Sequence, residues 1–267
     1  MRPATVLHRL APVLIIGLML GFIYLPVATL VLFSFHDGRV PVPPFEGPTL
    51  EWYIRILGDA KITGATLNSV LVGVVSAVLS TFLATLAAWG LSRHRLPGGR
   101  ALEALILMPL AISYLVVGVG LMVAFSALGF GKSLGLVIVG HVVLNLPLAF
   151  AILYSQFDAD QARLEAAARD LGASEGQVFW RITLPTVRAG LIAALALCFT
   201  FSWDEFIVAF LLSGFDPTLP VVIWSLLRTG LDPRTNAAGT LVFLVSITAA
   251  ILFELMLLRR RGRDAAL

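Results

Sequence analysis

Long apolar runs alternate with short polar stretches along this chain. Six runs reach membrane-spanning length: Ala11 to Phe35, Ala65 to Leu91, Leu102 to Leu128, Leu134 to Phe157, Val187 to Ser213 and Ala237 to Leu258. Crossing ~30 Å of hydrocarbon as a helix takes about 20 residues. The pattern predicts an all-α polytopic membrane protein, six transmembrane helices in a single domain over residues 1–267. The first run follows Arg2, His8 and Arg9, as a secretory signal would, yet a signal core is only about 7–15 residues long. This run is far longer and continues into "LPVATLVLFSF", so it is expected to stay as a helix. Pro12, Pro26, Pro109 and Pro147 sit inside runs, where neighbouring helices can accommodate kinks.

Between the runs, "HDGRVPVPPFEGP" (His36 to Pro48) and "SGFDPTLP" (Ser213 to Pro220) are dense in turn residues. "VVIWSLLRTGLDPRTN" has helical apolar spacing with Arg228 and Asp232 nearby. It reads as a short surface helix and loop, or as a segment that dips into the membrane. Composition agrees with lipid as the solvent: 58% of residues are hydrophobic, 13% are charged, and the mean hydropathy is +0.93. Thirteen of the 19 basic residues fall on the side of the amino terminus and six on the other. Cytoplasmic loops carry the basic excess, so both termini and residues 158–185 are expected on the cytoplasmic side of the membrane. The net charge of +3 is then a topology signal and no nucleic-acid partner is implied. Cys198, the only cysteine, lies in an apolar run as a core residue and leaves no intrachain disulfide or Cys-based zinc site.

Enzyme motifs fail on inspection. "SALGFGKSLG" contains Gly-Lys-Ser, but Ser126 stands where a phosphate loop needs glycine, and the segment is a short connection between two runs. No H-E-x-x-H or G-x-S-x-G occurs. No catalytic residue, metal site or cofactor of the chain's own is expected.

The charged stretch "LEAAARDLGASEGQVFWRITLP" (Leu164 to Pro185) stands apart. Asp158 with Gln161, and Ser174 with Gln177, are spaced as capping boxes that start two short helices. Gly172 between them suits a left-handed helix end. Pro185 is placed to open the fifth spanning helix. The apolar side chains Val178, Phe179 and Trp180 either lie against the membrane surface or the protein's own helix ends, or dock into a cleft of a partner.

The stretch resembles the EAA loop of ABC importer permeases, whose pattern runs Glu-Ala-Ala, three residues, Gly, nine residues, Ile, any residue, Leu-Pro. Gly172, Ile182, Leu184 and Pro185 fit that spacing. Counting back from Gly172 puts the Glu-Ala-Ala on Ala166, Ala167 and Ala168, so Glu165 sits one residue early and its side chain about 100° round the helix. The resemblance implies the type I importer fold. It implies that Glu165 to Ala168, Gly172, Ala173, Ser174, Val178, Phe179, Ile182, Leu184 and Pro185 form a coupling helix seated on an ATPase subunit. A rigid continuation through Pro185 would carry motion into the membrane.

Asp204 and Glu205 lie within the fifth run, where a carboxylate costs about 2.5–3.5 kcal/mol even on a lenient insertion scale. Apart from Arg188 at the start of the fifth run, no Lys or Arg lies within the six runs, and His141 and Asn145 of the fourth run stand near the same level. Trp203 and Ser202 adjoin the pair. Adjacent residues point about 100° apart, so at most one acid faces a pathway squarely, and spacing does not choose between them. "SWDEFIVAFLLSG" and the segments flanking it are similar to spermidine/putrescine permeases, which carry an acidic pair here. The resemblance implies an importer subunit for polyamines or a similar small organic cation. Its partners would be a second, homologous permease, two ATPases binding ATP and Mg, an extracytoplasmic solute-binding protein and membrane lipid. Three rivals stand beside this reading: an importer permease for another solute, a proton-coupled transporter or channel using Asp204, Glu205 and His141, and a non-transporting scaffold.

Overall fold

A computed structural model describes residues 3–94, 96–230 and 232–264, with side chains from Pro12 to Ile251 apart from those of Arg95, Ala159 and Leu231. Arg2 and Arg95 of the basic set therefore lie outside the described residues, as do the side chains of His8, Arg9, Arg259, Arg260, Arg261 and Arg263. Helices run α1 Pro3–Phe33, α2 Glu51–Gly58, α3 Ala60–Arg93, α4 Gly99–Leu107, α5 Tyr114–Ala127, α6 Leu134–Tyr154, α7 Ala159–Asp170, α8 Glu175–Val178, α9 Leu184–Thr186, α10 Arg188–Asp204, α11 Ile207–Leu212, α12 Leu219–Thr229 and α13 Pro233–Asp264. No strand occurs among the described residues. Among the described residues four helices are long and apolar enough to cross a membrane, and two bent pairs bring the number to six if each is one span.

The bent pairs correct the sequence reading. The expected third span is two segments at 108°, Gly99–Ala111, which ends in a tight turn at Met108–Ala111, and Tyr114–Ala127. Pro109 lacks an N–H and clashes with the preceding turn, and Ile112 and Ser113 are extended. The fifth run, expected unbroken to Ser213, stops at Asp204, and α11 starts afresh at Ile207. Pro185 does not open a straight rod either, because the segment Glu175–Thr186 meets α10 at 67°, with the bend beyond the proline. Beyond the turn-rich stretch that follows α1 lies a short helix that the sequence reading did not predict, α2.

Contacts divide the described chain into two compact units. One holds residues up to Thr63 with Ile223–Leu244. In it the polar segment after α1 folds on its own side chains: the Trp52 indole donates to the His36 carbonyl at 2.6 Å, and Ser34 and Tyr53 hydroxyls share a bond of 2.7 Å. Arg234 reaches Asp59 at 3.6 Å and Asp232 at 2.7 Å, closing the ends of α2 and α13 together.

The other unit, Gly64–Val222 with Val245 onward, is built around α6. On one part of α6, Ala149, Phe150 and Leu153 meet Ala77, Ala84 and Ala88 of α3 and Ala194 and Cys198 of α10. Further along, Val137 and Leu144 meet Val72 of α3 and Val208, Ala209 and Leu212 of α11. Small side chains on α3 let the backbones approach, the usual basis of helix packing in lipid. Glycine does the same on α6, where a β-carbon at Gly140 would lie 2.5 Å from Val208 Cγ1 and 2.9 Å from Leu212 Cδ1.

Gly140→Leu is therefore expected to destabilise this unit by about 1–3 kcal/mol through overpacking, seen as a lower thermal unfolding temperature in detergent. Gly120→Leu, on an exposed part of α5 with nothing within 4 Å, should cause no loss.

Candidate functional site

The charged stretch folds as two helices about an elbow. Asp158 Oδ1 accepts from Gln161 N at 2.8 Å and starts α7. The reciprocal bond of that box is missing: the Gln161 amide is buried and bonds to nothing among the described residues. Gly172 takes φ +88°, a backbone state open to glycine at little cost. Ser174 and Gln177 then form a complete capping box, at 3.4 and 2.9 Å, that starts α8. One wider helical turn, Phe179–Thr183, carries the chain into α9.

Glu165 organises this module. Its side chain has no exposed surface, and its carboxylate accepts from Arg93 Nε at 2.7 Å and Nη2 at 3.2 Å. The Thr183 hydroxyl donates to it at 2.9 Å, and Arg169 stands 3.8 Å away. One carboxylate thus joins the end of α3, α7 and the turn before α9. The Arg93 guanidinium also lies over the Phe157 ring at 5.4 Å. Across the elbow, Arg169 grips Glu175 at 2.6 and 3.1 Å and holds that carboxyl below its ordinary range.

The apolar side chains of the stretch divide between two faces. Val178 is buried, and Phe179 packs edge-on against Trp89 of α3 at 5.2 Å. Trp180 is 67% exposed and Leu171 90% exposed, and Leu164, Ala166 and Ala167 are on the surface with them. Ala168, Ala173, Ile182 and Leu184 are half-buried, and Pro185 is exposed.

The acids of the fifth run separate cleanly. Glu205, 8% exposed, ends α10 in an extended conformation and accepts the N–H groups of Val208 and Ala209 at 3.0 Å, capping α11. His141 Nε2 lies 3.3 Å from it, without the alignment of a hydrogen bond. His141 Nδ1 meets Ser202 Oγ at 2.5 Å, and Ser202 accepts from Ser76 of α3 at 2.9 Å. Asn145 donates to the Cys198 carbonyl at 3.1 Å. Trp203 is buried and stacked on Phe199. Asp204 is the exception: it is exposed, and its carboxylate accepts only the Ser246 hydroxyl of α13, at 3.0 and 3.2 Å, among the bonds described.

Of the side chains that hydrogen-bond around the two acids, sequence reasoning singled out all but Ser76 and Ser246. It missed the pairing of Glu165 with Arg93, two residues beyond the second run, and with Thr183, a hydroxyl inside the charged stretch. No group of three or more His, Cys, Asp or Glu among the described residues is arranged to hold a metal ion.

Residues 80–262 match the family described as binding-protein-dependent transport system inner membrane component. The chain belongs to this family. The match takes in the charged stretch, Arg93 and both acids of the fifth run. Among its relatives, the putrescine transport system permease protein PotI of Escherichia coli K12 is 31% identical over 257 residues, 92% of this chain and 91% of its own. The spermidine/putrescine transport system permease protein PotC of Haemophilus influenzae is 29% identical over 88% of this chain and 92% of its own. Of solved structures, a bacterial ABC transporter involved in the import of the acidic polysaccharide alginate superposes with TM-score 0.71 at 18% identity, covering 97% of this chain and 98% of that one. The methionine ABC transporter MetNI in an inward-facing conformation gives 0.56 at 13% identity, over 74% and 97%. These two likenesses establish the fold.

In this inner membrane component, the two acids should respond unequally to substitution. Glu205→Leu leaves two amides and His141 without their carboxylate and should cost about 3–5 kcal/mol. Asp204→Asn, with its acceptor oxygen retained, should cost less than about 1 kcal/mol. Thermal unfolding of the purified chain in detergent separates the two.

Proposed function

We propose that this chain is one membrane-spanning subunit of an ATP-driven importer for polyamines or a similar small organic cation. Asp204 carries the reading. At 1.5 Å per residue it stands about 24 Å along α10 from Arg188, exposed, with a hydroxyl as its described partner. An ionised carboxylate facing hydrocarbon is costly enough that such residues face a water-filled path or another subunit. The acids flanking a polyamine path must outnumber fixed cations, and no Lys or Arg lies on α10, α11 or α6 except Arg188 at its start. The relatives named for spermidine and putrescine support the choice of solute.

The proposed assembly has two homologous permeases, two ATPase subunits that bind ATP and Mg, and an extracytoplasmic solute-binding protein. The charged stretch and both termini face the cytoplasm of a bacterial inner membrane. Leu164, Leu171 and Trp180 form the apolar surface offered to an ATPase, while Val178 and Phe179 serve the chain's own packing. A proton relay through His141 and Glu205 is less well supported, because both are buried and the Glu205 carboxylate is taken up by backbone amides.

The test is ATP-dependent uptake of putrescine and spermidine into proteoliposomes holding the assembled transporter. Loss of a charge-assisted hydrogen bond removes about 1.5–3 kcal/mol, so Asp204→Asn should lower uptake about tenfold or more with assembly intact. Unchanged uptake would remove Asp204 from the path. Failure of any ATPase to copurify with the unsubstituted chain would remove the importer reading itself.

A further inference from the structure

The 67° bend after Thr186 raises the question of how motion of the charged stretch reaches the membrane interior. A rod through Pro185 would have done so directly. The chain instead changes direction there, and the stretch is held from another side. Glu165 of α7 is buried against Arg93, the last residue of α3, through a two-point fork, and Thr183 adds the second arm of the stretch to the same carboxylate. Phe179 against Trp89, one turn back on α3, backs the joint with an apolar contact.

From Arg93 to Ser76 is about 25 Å along one unbroken helix. Ser76 is buried and donates to Ser202, which is bonded to His141, which stands against Glu205. Glu205 in turn fixes the start of α11 and immediately follows Asp204. Near this level α3 also lies tight against α10, since a β-carbon on Gly73 would come within 3.0 Å of the Phe199 ring. One continuous helix therefore has a charged joint to the stretch at one end and a polar joint to the break in the fifth run part-way along.

Resting on the proposed importer function, we infer that Arg93 and Glu165 are positioning residues that couple the ATPase-facing stretch to α3, and that α3 transmits its displacement to the Asp204–Glu205 break. The pair touches neither solute nor nucleotide. It remains closed through the cycle, so that the stretch and the end of α3 move together.

The experiment measures solute imported per ATP hydrolysed by the assembled transporter in proteoliposomes, with putrescine as solute. Glu165→Gln removes the charge and retains the shape; Arg93→Lys retains the charge and loses the fork. Site-to-site couplings are commonly worth about 5–150-fold. Both variants should therefore keep ATP hydrolysis near the unsubstituted rate and lower solute per ATP by about tenfold. The exchange Arg93→Glu with Glu165→Arg should recover part of that ratio. An unchanged ratio in both single variants overturns the inference, and so does a proportional fall of hydrolysis and uptake, the mark of a purely structural pair. Failure of Arg93→Lys to assemble would also overturn it, since the pair would then be a folding element. If the unsubstituted assembly shows no ATP-driven uptake, the importer reading fails instead.

Discussion

A carboxylate taken out of water must find its donors in the chain, and Glu165 shows how much structure follows from that requirement. Two charges shielded from solvent repay their desolvation only when the geometry is good and the remaining lone pairs are satisfied. Here the guanidinium fork of Arg93, the Thr183 hydroxyl and the nearby Arg169 meet that condition. Removing one member would leave the other buried and unpaired, typically at a cost of about 3–5 kcal/mol. The pair therefore holds α7 and the turn before α9 against the end of α3. With their orientation set, Val178 and Phe179 turn inward and Leu171 and Trp180 turn outward.

The same rule operates inside the apolar core. Glu205 could not remain in the fifth run as part of a continuous helix without a partner for its charge. Breaking the helix supplies one, because the first amides of a helix have no intrahelical acceptor. The carboxylate caps α11, His141 stands beside it, and Asp204 is left on the surface one residue earlier. One acid is taken up by the fold, and the other stays exposed with the Ser246 hydroxyl as its described partner.

Periodicity and local turn chemistry were legible in the sequence. The fourth run coincides with α6 within three residues, and the second lies inside α3. The positive φ of Gly172 and the Ser174–Gln177 box follow from local rules that need no tertiary information. What stayed hidden depends on distant partners. Glu165 looked displaced by one residue from the family pattern, and only Arg93, 72 positions away in sequence, shows that the displacement turns it inward. The choice between Asp204 and Glu205 likewise rests on His141 and on Ser246 from another helix. The bend at Ile112 and Ser113 had a signal in Pro109, but a proline in lipid is compatible with a mild kink as well as a sharp turn.

The central claim is that the charged stretch and the end of α3 form one mechanical body. Spin labels at the exposed positions Arg163 and Leu96, on either side of the buried pair, test it most directly. Their separation, measured by pulsed electron paramagnetic resonance in the assembled transporter, should change by less than about 2 Å between the nucleotide-free and ATP-trapped states, within the range of small helix shifts. A change approaching one helical turn, about 5 Å, would contradict the account.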